Sequence, residues 1–122
     1  MSPLASHLRC PPPPRQEADR DRAVLITHLV AFCTGVPARE IASSGRAAAA
    51  ASAARHLAMY LAHTGLGWPL ARVGAAFGRD RTTVGHACRK VEDRRDDPAF
   101  DSHVEALEAC LRHTPHEPRL LS

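Results

Sequence analysis

One segment of the sequence carries side chains suited to holding phosphates. Within residues 81–92, small apolar residues recur at helical spacing: Val84, Ala87, Cys88 and Val91. The opposite face of the same helix carries hydroxyl, imidazole and basic groups: Thr82, Thr83, His86, Arg89 and Lys90. Such groups can hold phosphate oxygens, and a helix's first turn can reach base edges in a major groove. The alternative is a helix face that is merely solvated.

The residues around this segment predict how it is positioned. Asp80 is a good N-cap, because its carboxylate can accept from the amides of Thr82 or Thr83. Gly78 supplies a permissive turn, and a short helix begins after Pro69. Two short helices joined by a glycine turn are typical of a helix-turn-helix, which binds double-stranded DNA.

The same side chains do not suggest catalysis. His86 and Cys88 lie two residues apart and project from different helix faces, so they do not form a nucleophile and base pair. None of the eight histidines pairs at i, i+4 with a second ligand type, which argues against a metal site. We expect a protein that is not an enzyme and uses no cofactor.

Composition predicts one small globular domain. The chain has 122 residues, 24% of them charged and 44% apolar. No apolar run reaches the length of a membrane span or signal peptide, so we expect a cytoplasmic, nucleoid-associated protein. The four cysteines lie far apart without a CxxC pair, which predicts free, mostly buried thiols.

The charge distribution is uneven. Nine basic and three acidic residues lie between Arg46 and Arg95, a net charge of +6, whereas the rest of the chain has a net charge of −3. A basic stretch of this kind fits a nucleic-acid surface, although it could also only solvate helix faces.

Apolar periodicity and turn residues predict an all-α fold of six helices. The four consecutive prolines from Pro11 to Pro14 predict a disordered arm over 1–15, and the domain should cover 16–113, with a flexible tail over 114–122. The helices should run from Gln16 to Gly35, over 37–42, over about 47–64, from Leu70 to Phe77, from Asp80 onward and from Asp97 onward.

Two blocks of sequence resemble a known family. The segments RHLAMYLA at 55–62 and RDRTTVGHACRKVE at 79–92 are similar to the two signature blocks of the C-terminal (domain IV) DNA-binding domain of the bacterial replication initiator DnaA. The resemblance runs over about residues 20–112. It implies a six-helix domain whose helix-turn-helix reads a short asymmetric DNA box.

The resemblance also implies roles for individual residues. Asp80 and Thr82 would contact bases, and Arg55 would enter the neighbouring minor groove. Backbone phosphates would be held by Thr83, His86 and Lys90. Each also has a purely structural reading, such as an N-cap for Asp80. The full candidate DNA-binding set is Arg55, Arg79, Asp80, Arg81, Thr82, Thr83, His86, Arg89 and Lys90.

Four departures from the family pattern affect these expectations. Arg81 replaces a histidine that usually reads a base, so the preferred site should change. The turn has one glycine, Gly78, instead of two, and Ala71 replaces a common proline. In 45–54 the family has a basic loop, whereas this chain has only Arg46 among small residues, which predicts fewer phosphate contacts.

The chain also lacks the nucleotide chemistry of an initiator. It contains no GxxxxGK[ST] motif, and Lys90 is its one lysine beside 15 arginines. We expect a standalone DnaA-related protein, of the type found in alphaproteobacteria, that binds double-stranded DNA and regulates replication initiation or transcription. The alternative is an interaction protein that binds DnaA itself or its regulatory-inactivation factor.

Overall fold

The computed structural model describes residues 14–43 and 48–113, and these form six α-helices with no strand among them. We number the helices in chain order: α1 Pro14–Thr34, α2 Ala38–Ala42, α3 Ala49–Gly65, α4 Leu70–Phe77, α5 Arg81–Arg94 and α6 Pro98–Arg112. The all-α, six-helix prediction is confirmed. In this part of the chain, no helix combines the length and apolarity that a membrane crossing requires.

Helix α3 is the centre of the molecule. It packs against all five other helices, and every residue from Leu57 to Ala62 is buried. A helix that is apolar on all sides must be covered on all sides. The surrounding helices supply that cover with one buried stripe each, such as Ile26 and Val30 of α1 and Val104 and Leu111 of α6.

The buried stripe of α5 was predicted correctly. Val84, Ala87, Cys88 and Val91 are all buried, and Val84 and Val91 lie in one core cluster with Leu57 and Leu61. Phe77, at the end of α4, packs against the same core but is only partly buried. Trp68, which belongs to none of the predicted helices, is only 4% exposed in the loop before α4 and joins the core.

The connection between α4 and α5 depends on two glycines, one for its backbone conformation and one for a close approach. Gly78 has a φ of +70°, in the left-handed region, and ends α4. Gly74, inside α4, approaches the backbone of Arg79 so closely that a Cβ would overlap with the Arg79 carbonyl oxygen. The amide of Arg79 in turn donates to the Gly74 carbonyl at 2.9 Å. The single glycine of the turn is therefore sufficient, because no other described residue of the turn has a positive φ.

Some expectations need correction or lie outside the described residues. Helix α1 begins at Pro14, two residues before the predicted start, and proline suits a helix's first position. Cys110 is exposed because it lies beside the Leu107–Leu111 stripe and not within it. The prediction of mostly buried thiols is therefore wrong for this cysteine. Residues 1–13, including Cys10, residues 44–47, including Arg46, and the tail 114–122 lie outside the described residues.

The close approach at Gly74 leads to a stability prediction. Gly74→Ala should destabilise the protein by about 1–3 kcal/mol, because overlap with backbone outweighs the gain in helix propensity of about 1 kcal/mol. Gly85→Ala is the matched control, since its Cβ would meet only Leu70 Cδ1 at 3.8 Å. That variant should be neutral or slightly more stable. Urea unfolding of both variants measures the difference, and equal midpoints would contradict the close approach.

Candidate nucleic-acid interface

The N-terminus of α5 is capped as the sequence predicts. Asp80 has an extended backbone, and its Oδ1 accepts a hydrogen bond from the amide of Thr83 at 2.8 Å. Bonds from the backbone and hydroxyl of Thr83 hold the pKa of the Asp80 carboxyl below its usual range. The carboxylate is exposed, so its second oxygen can still accept a hydrogen bond from outside the protein.

The solvent face of α5 is polar over its first three turns. All six residues of this face are exposed: Arg81, Thr82, Thr83, His86, Arg89 and Lys90. Among the described residues, the large apolar side chains that are exposed are Val24, Leu25 and Phe32, and all three belong to α1. No large exposed apolar side chain therefore interrupts the described face of α5. Such side chains would have favoured the alternative hypothesis of an interaction protein.

Arg55 and Arg79 are placed differently from the α5 residues. Both are half-buried, and both donate to backbone carbonyls at the end of α2. The bonds of Arg55 run from Nε to the Ile41 oxygen at 2.7 Å and from Nη2 to the Glu40 oxygen at 3.2 Å. Nη2 of Arg79 donates to the Ser43 oxygen at 2.8 Å. Burial, together with the nearby charge of Arg79, lowers the pKa of Arg55.

His56 is brought to this region, although the candidate set did not include it. It is half-buried on α3, and burial lowers its pKa, with further lowering by the charges of Lys90 and Arg55. His56 shares a groove with Lys90 between α3 and α5. Its position next to Arg55 in the first signature block was the signal that could have identified it.

A polar network fixes the C-terminal end of α5. The Tyr60 hydroxyl donates to Glu92 Oε2 at 2.7 Å and accepts from Arg95 Nη1 at 3.0 Å. Burial, followed by the bond to Glu92, raises the pKa of Tyr60 to about 12. The hydroxyl therefore stays protonated and links α3 to both ends of the last turn of α5.

Helix α6 closes the same network. Glu108 is 8% exposed, and its Oε2 accepts from Arg95 Nη1 at 3.1 Å and from the Thr64 hydroxyl at 2.6 Å. Asp101 accepts from Arg95 Nε. Burial alone would lower the pKa of Arg95, but its bonds to Asp101 and Tyr60 and the charge of Glu108 raise it. This network was not predicted from the sequence, although a glutamate four residues after Val104, on a buried stripe, indicates a paired carboxylate.

Arg95 should accordingly support the whole domain. Arg95→Met leaves the nearly buried Glu108 carboxylate without its cation, and we expect a loss of about 2–4 kcal/mol in unfolding free energy. Adding Glu108→Leu to that variant should restore part of the loss, because the unpaired charge is removed. The control is Arg89→Met, an exposed change in the same helix that should stay within about 0.5 kcal/mol. Urea titrations test all three, and an unchanged midpoint for Arg95→Met would disprove the role.

Comparisons with known proteins agree with this geometry. The family described as "Bacterial dnaA protein helix-turn-helix" matches residues 24–91. The chromosomal replication initiator protein DnaA of Symbiobacterium thermophilum is 47% identical over 60 residues, which are 48% of this chain and 13% of that protein. A crystal structure of a DNA replication initiation factor superposes with a TM-score of 0.68 at 33% identity, over 80% of this chain and 30% of the other. The chain thus spans only a small part of these relatives, and it belongs to the family of bacterial DnaA helix-turn-helix domains.

Proposed function

We propose that this chain binds duplex DNA in a sequence-specific manner and thereby regulates replication initiation or transcription. The observation that carries the proposal is the uninterrupted polar face of α5, which begins at a capped helix N-terminus and is exposed over three turns. A helix presented this way fits the major groove with its first turn toward the bases. In this proposal the protein regulates by occupying its DNA sites, and it is therefore located at the nucleoid.

The first turn of α5 is the part that reads sequence in this proposal. Thr82 and Arg81 are exposed there, and a hydroxyl and a guanidinium both match base edges in the major groove. Asp80 uses one carboxylate oxygen for the cap, so its other oxygen is available to accept from a cytosine amino group. Capping and base contact are therefore compatible in one residue.

The next two turns hold the backbone. Thr83, His86, Arg89 and Lys90 present one hydroxyl and three nitrogen-bearing groups to phosphates, which position the protein without reading sequence. Arg55 and Arg79 stand behind this row with guanidinium donors left over from their bonds to α2. From there they extend the positive charge toward the neighbouring minor groove.

The start of α3 contributes little charge to this surface. Ala48, Ala49 and Ala50 are exposed where the family carries a basic loop, and the first turn of α3 contains no charged residue. Fewer neutralised phosphates mean weaker and less salt-dependent binding. We therefore propose that this chain depends on α5 for its affinity more than the family does.

Binding to any duplex should weaken as salt increases, with a slope of log affinity on log salt of about −3 to −5, as expected for about four to six phosphates. Lys90→Ala and His86→Ala should weaken binding about equally on all sequences, since phosphate contacts carry no sequence information. Lys90→Ala should also reduce the slope by about 1. Fluorescence anisotropy over a salt series measures both effects.

The matched control is Arg112→Ala, which removes a basic residue from the exposed end of α6. That variant should keep the wild-type slope. An absence of binding to any duplex at low salt would refute the proposed function. A change in base preference for Lys90→Ala at equal affinity would refute its phosphate role.

Arg81 should shift the preferred site. Arginine donates two hydrogen bonds to O6 and N7 of guanine, worth about 1–3 kcal/mol of discrimination, and a neutral histidine cannot form the same pair. We expect a site related to the initiator box with guanine opposite Arg81, and Arg81→His should return preference toward the standard box. Selection from a random duplex pool with both proteins tests this. Identical recovered sites would show that Arg81 contributes charge only.

A further inference from the structure

A groove with an apolar floor lies away from the solvent face of α5, between α1, α2 and the end of α4. It encloses about 470 Å³. Its floor is apolar and includes Ala23, Ile41, Ala76 and Phe77. This volume lies within the range of pockets that hold a small ligand or a few bulky side chains.

The rim of this groove is strongly cationic. Four arginines line it, one or more from each side: Arg20, Arg39, Arg55 and Arg79. No aspartate or glutamate lines it. The hydroxyl of Thr27, which lies in the floor, donates to the Ala23 carbonyl at 2.8 Å, so this donor is already satisfied. The groove thus combines an apolar floor without unmet hydrogen bonds and a ring of positive charge.

Exposed apolar side chains lie on α1, the helix that forms one wall of the groove. Val24 lines the groove and is 54% exposed. Leu25 is 52% exposed, and Phe32, seven residues further and therefore on the same helix face, is 88% exposed. These three are all the large apolar side chains that are exposed among the described residues. Large exposed apolar side chains among the described residues thus occur on the helix that borders the groove, and Val24 is the one that lines the groove itself.

We propose that this groove docks an acidic amphipathic helix of a partner protein. Such a helix buries apolar side chains at i, i+3, i+4 and i+7 in a hydrophobic groove, and its flanking carboxylates would meet the four arginines. Duplex DNA does not fit as well, because its phosphates gain nothing from an apolar floor. A membrane surface does not fit either, since lipid headgroups cannot follow a concave floor.

The docking has a consequence for DNA binding, and this part rests on the proposed function. Arg55 and Arg79 belong both to the groove rim and to the candidate DNA-binding set. Their guanidinium groups cannot meet a partner's carboxylates and backbone phosphates together. The acidic helix and the duplex should therefore weaken each other's binding by the same factor.

The test uses the full chain and synthetic peptides. The probe is a labelled 18-residue helix with leucine and phenylalanine at i, i+3, i+4 and i+7 and glutamate between them. One comparison peptide has the same composition in scrambled order, and another is polyglutamate of equal length. Fluorescence anisotropy should show the amphipathic peptide binding at least about tenfold more tightly than either comparison peptide.

Two variants locate the binding site without disturbing the fold. Val24→Asp and Arg39→Glu alter exposed residues outside the candidate DNA-binding set, and each should reduce peptide affinity about tenfold. The control Arg112→Glu makes the same charge change as Arg39→Glu at the end of α6 and should leave peptide affinity unchanged. Circular dichroism confirms that each variant is folded.

Several results would overturn the docking site. The first is that the amphipathic peptide does not bind. The second is that the scrambled peptide or polyglutamate binds as tightly as the amphipathic peptide. The third is that Val24→Asp and Arg39→Glu both bind the amphipathic peptide with wild-type affinity. Binding only to vesicles of anionic lipid would assign the surface to a membrane instead. Duplex binding is measured on the same samples. Peptide binding without duplex binding would refute the proposed function alone, and the converse would refute the docking site alone.

Discussion

The fold depends on the fact that α3 has no solvent face between Leu57 and Ala62. Each of the five other helices must cover part of α3, and each can do so with only one apolar stripe. For α5 that stripe consists of Val84, Ala87, Cys88 and Val91, which turns the polar side outward. The surface proposed to meet DNA is thus a consequence of core burial, and the two cannot be changed independently.

Burial of the stripe fixes which face of α5 is exposed, but it leaves the tilt of the helix free. Polar contacts at its two ends remove this freedom. At the N-terminus, the approach of Gly74 to Arg79 and the cap from Asp80 set where the helix begins. At the C-terminus, Tyr60 and Arg95 attach it to α3 and α6. A helix held at both ends is preorganised, so little conformational entropy is lost when it binds.

Local pattern was enough to predict the helices and the buried stripe of α5, because caps, prolines and apolar spacing act over a few residues. It predicted the cap at Asp80 and the exposed row on α5 for the same reason. The Arg95 network could not be predicted this way, since its hydrogen-bonding partners are up to 44 residues apart in sequence, as in the bond from Thr64 to Glu108. The position of Arg55 behind α5 also depends on long-range packing, because its acceptors belong to α2.

The hydrogen bonds from Arg55 couple the five-residue helix α2 to any binding event that moves the Arg55 guanidinium. The carbonyls of Glu40 and Ile41 belong to the last turn of α2, where carbonyl oxygens receive no amide donor from a following helical turn. The Glu40 oxygen also accepts from the Ser43 amide at 3.3 Å. A ligand that draws the guanidinium outward removes both bonds, returns the Ile41 carbonyl to water and so loosens the end of α2. By thermodynamic reciprocity, any contact that rigidifies α2 holds the guanidinium inward and opposes that ligand. The order of helix α2 is therefore coupled to the position of the Arg55 guanidinium.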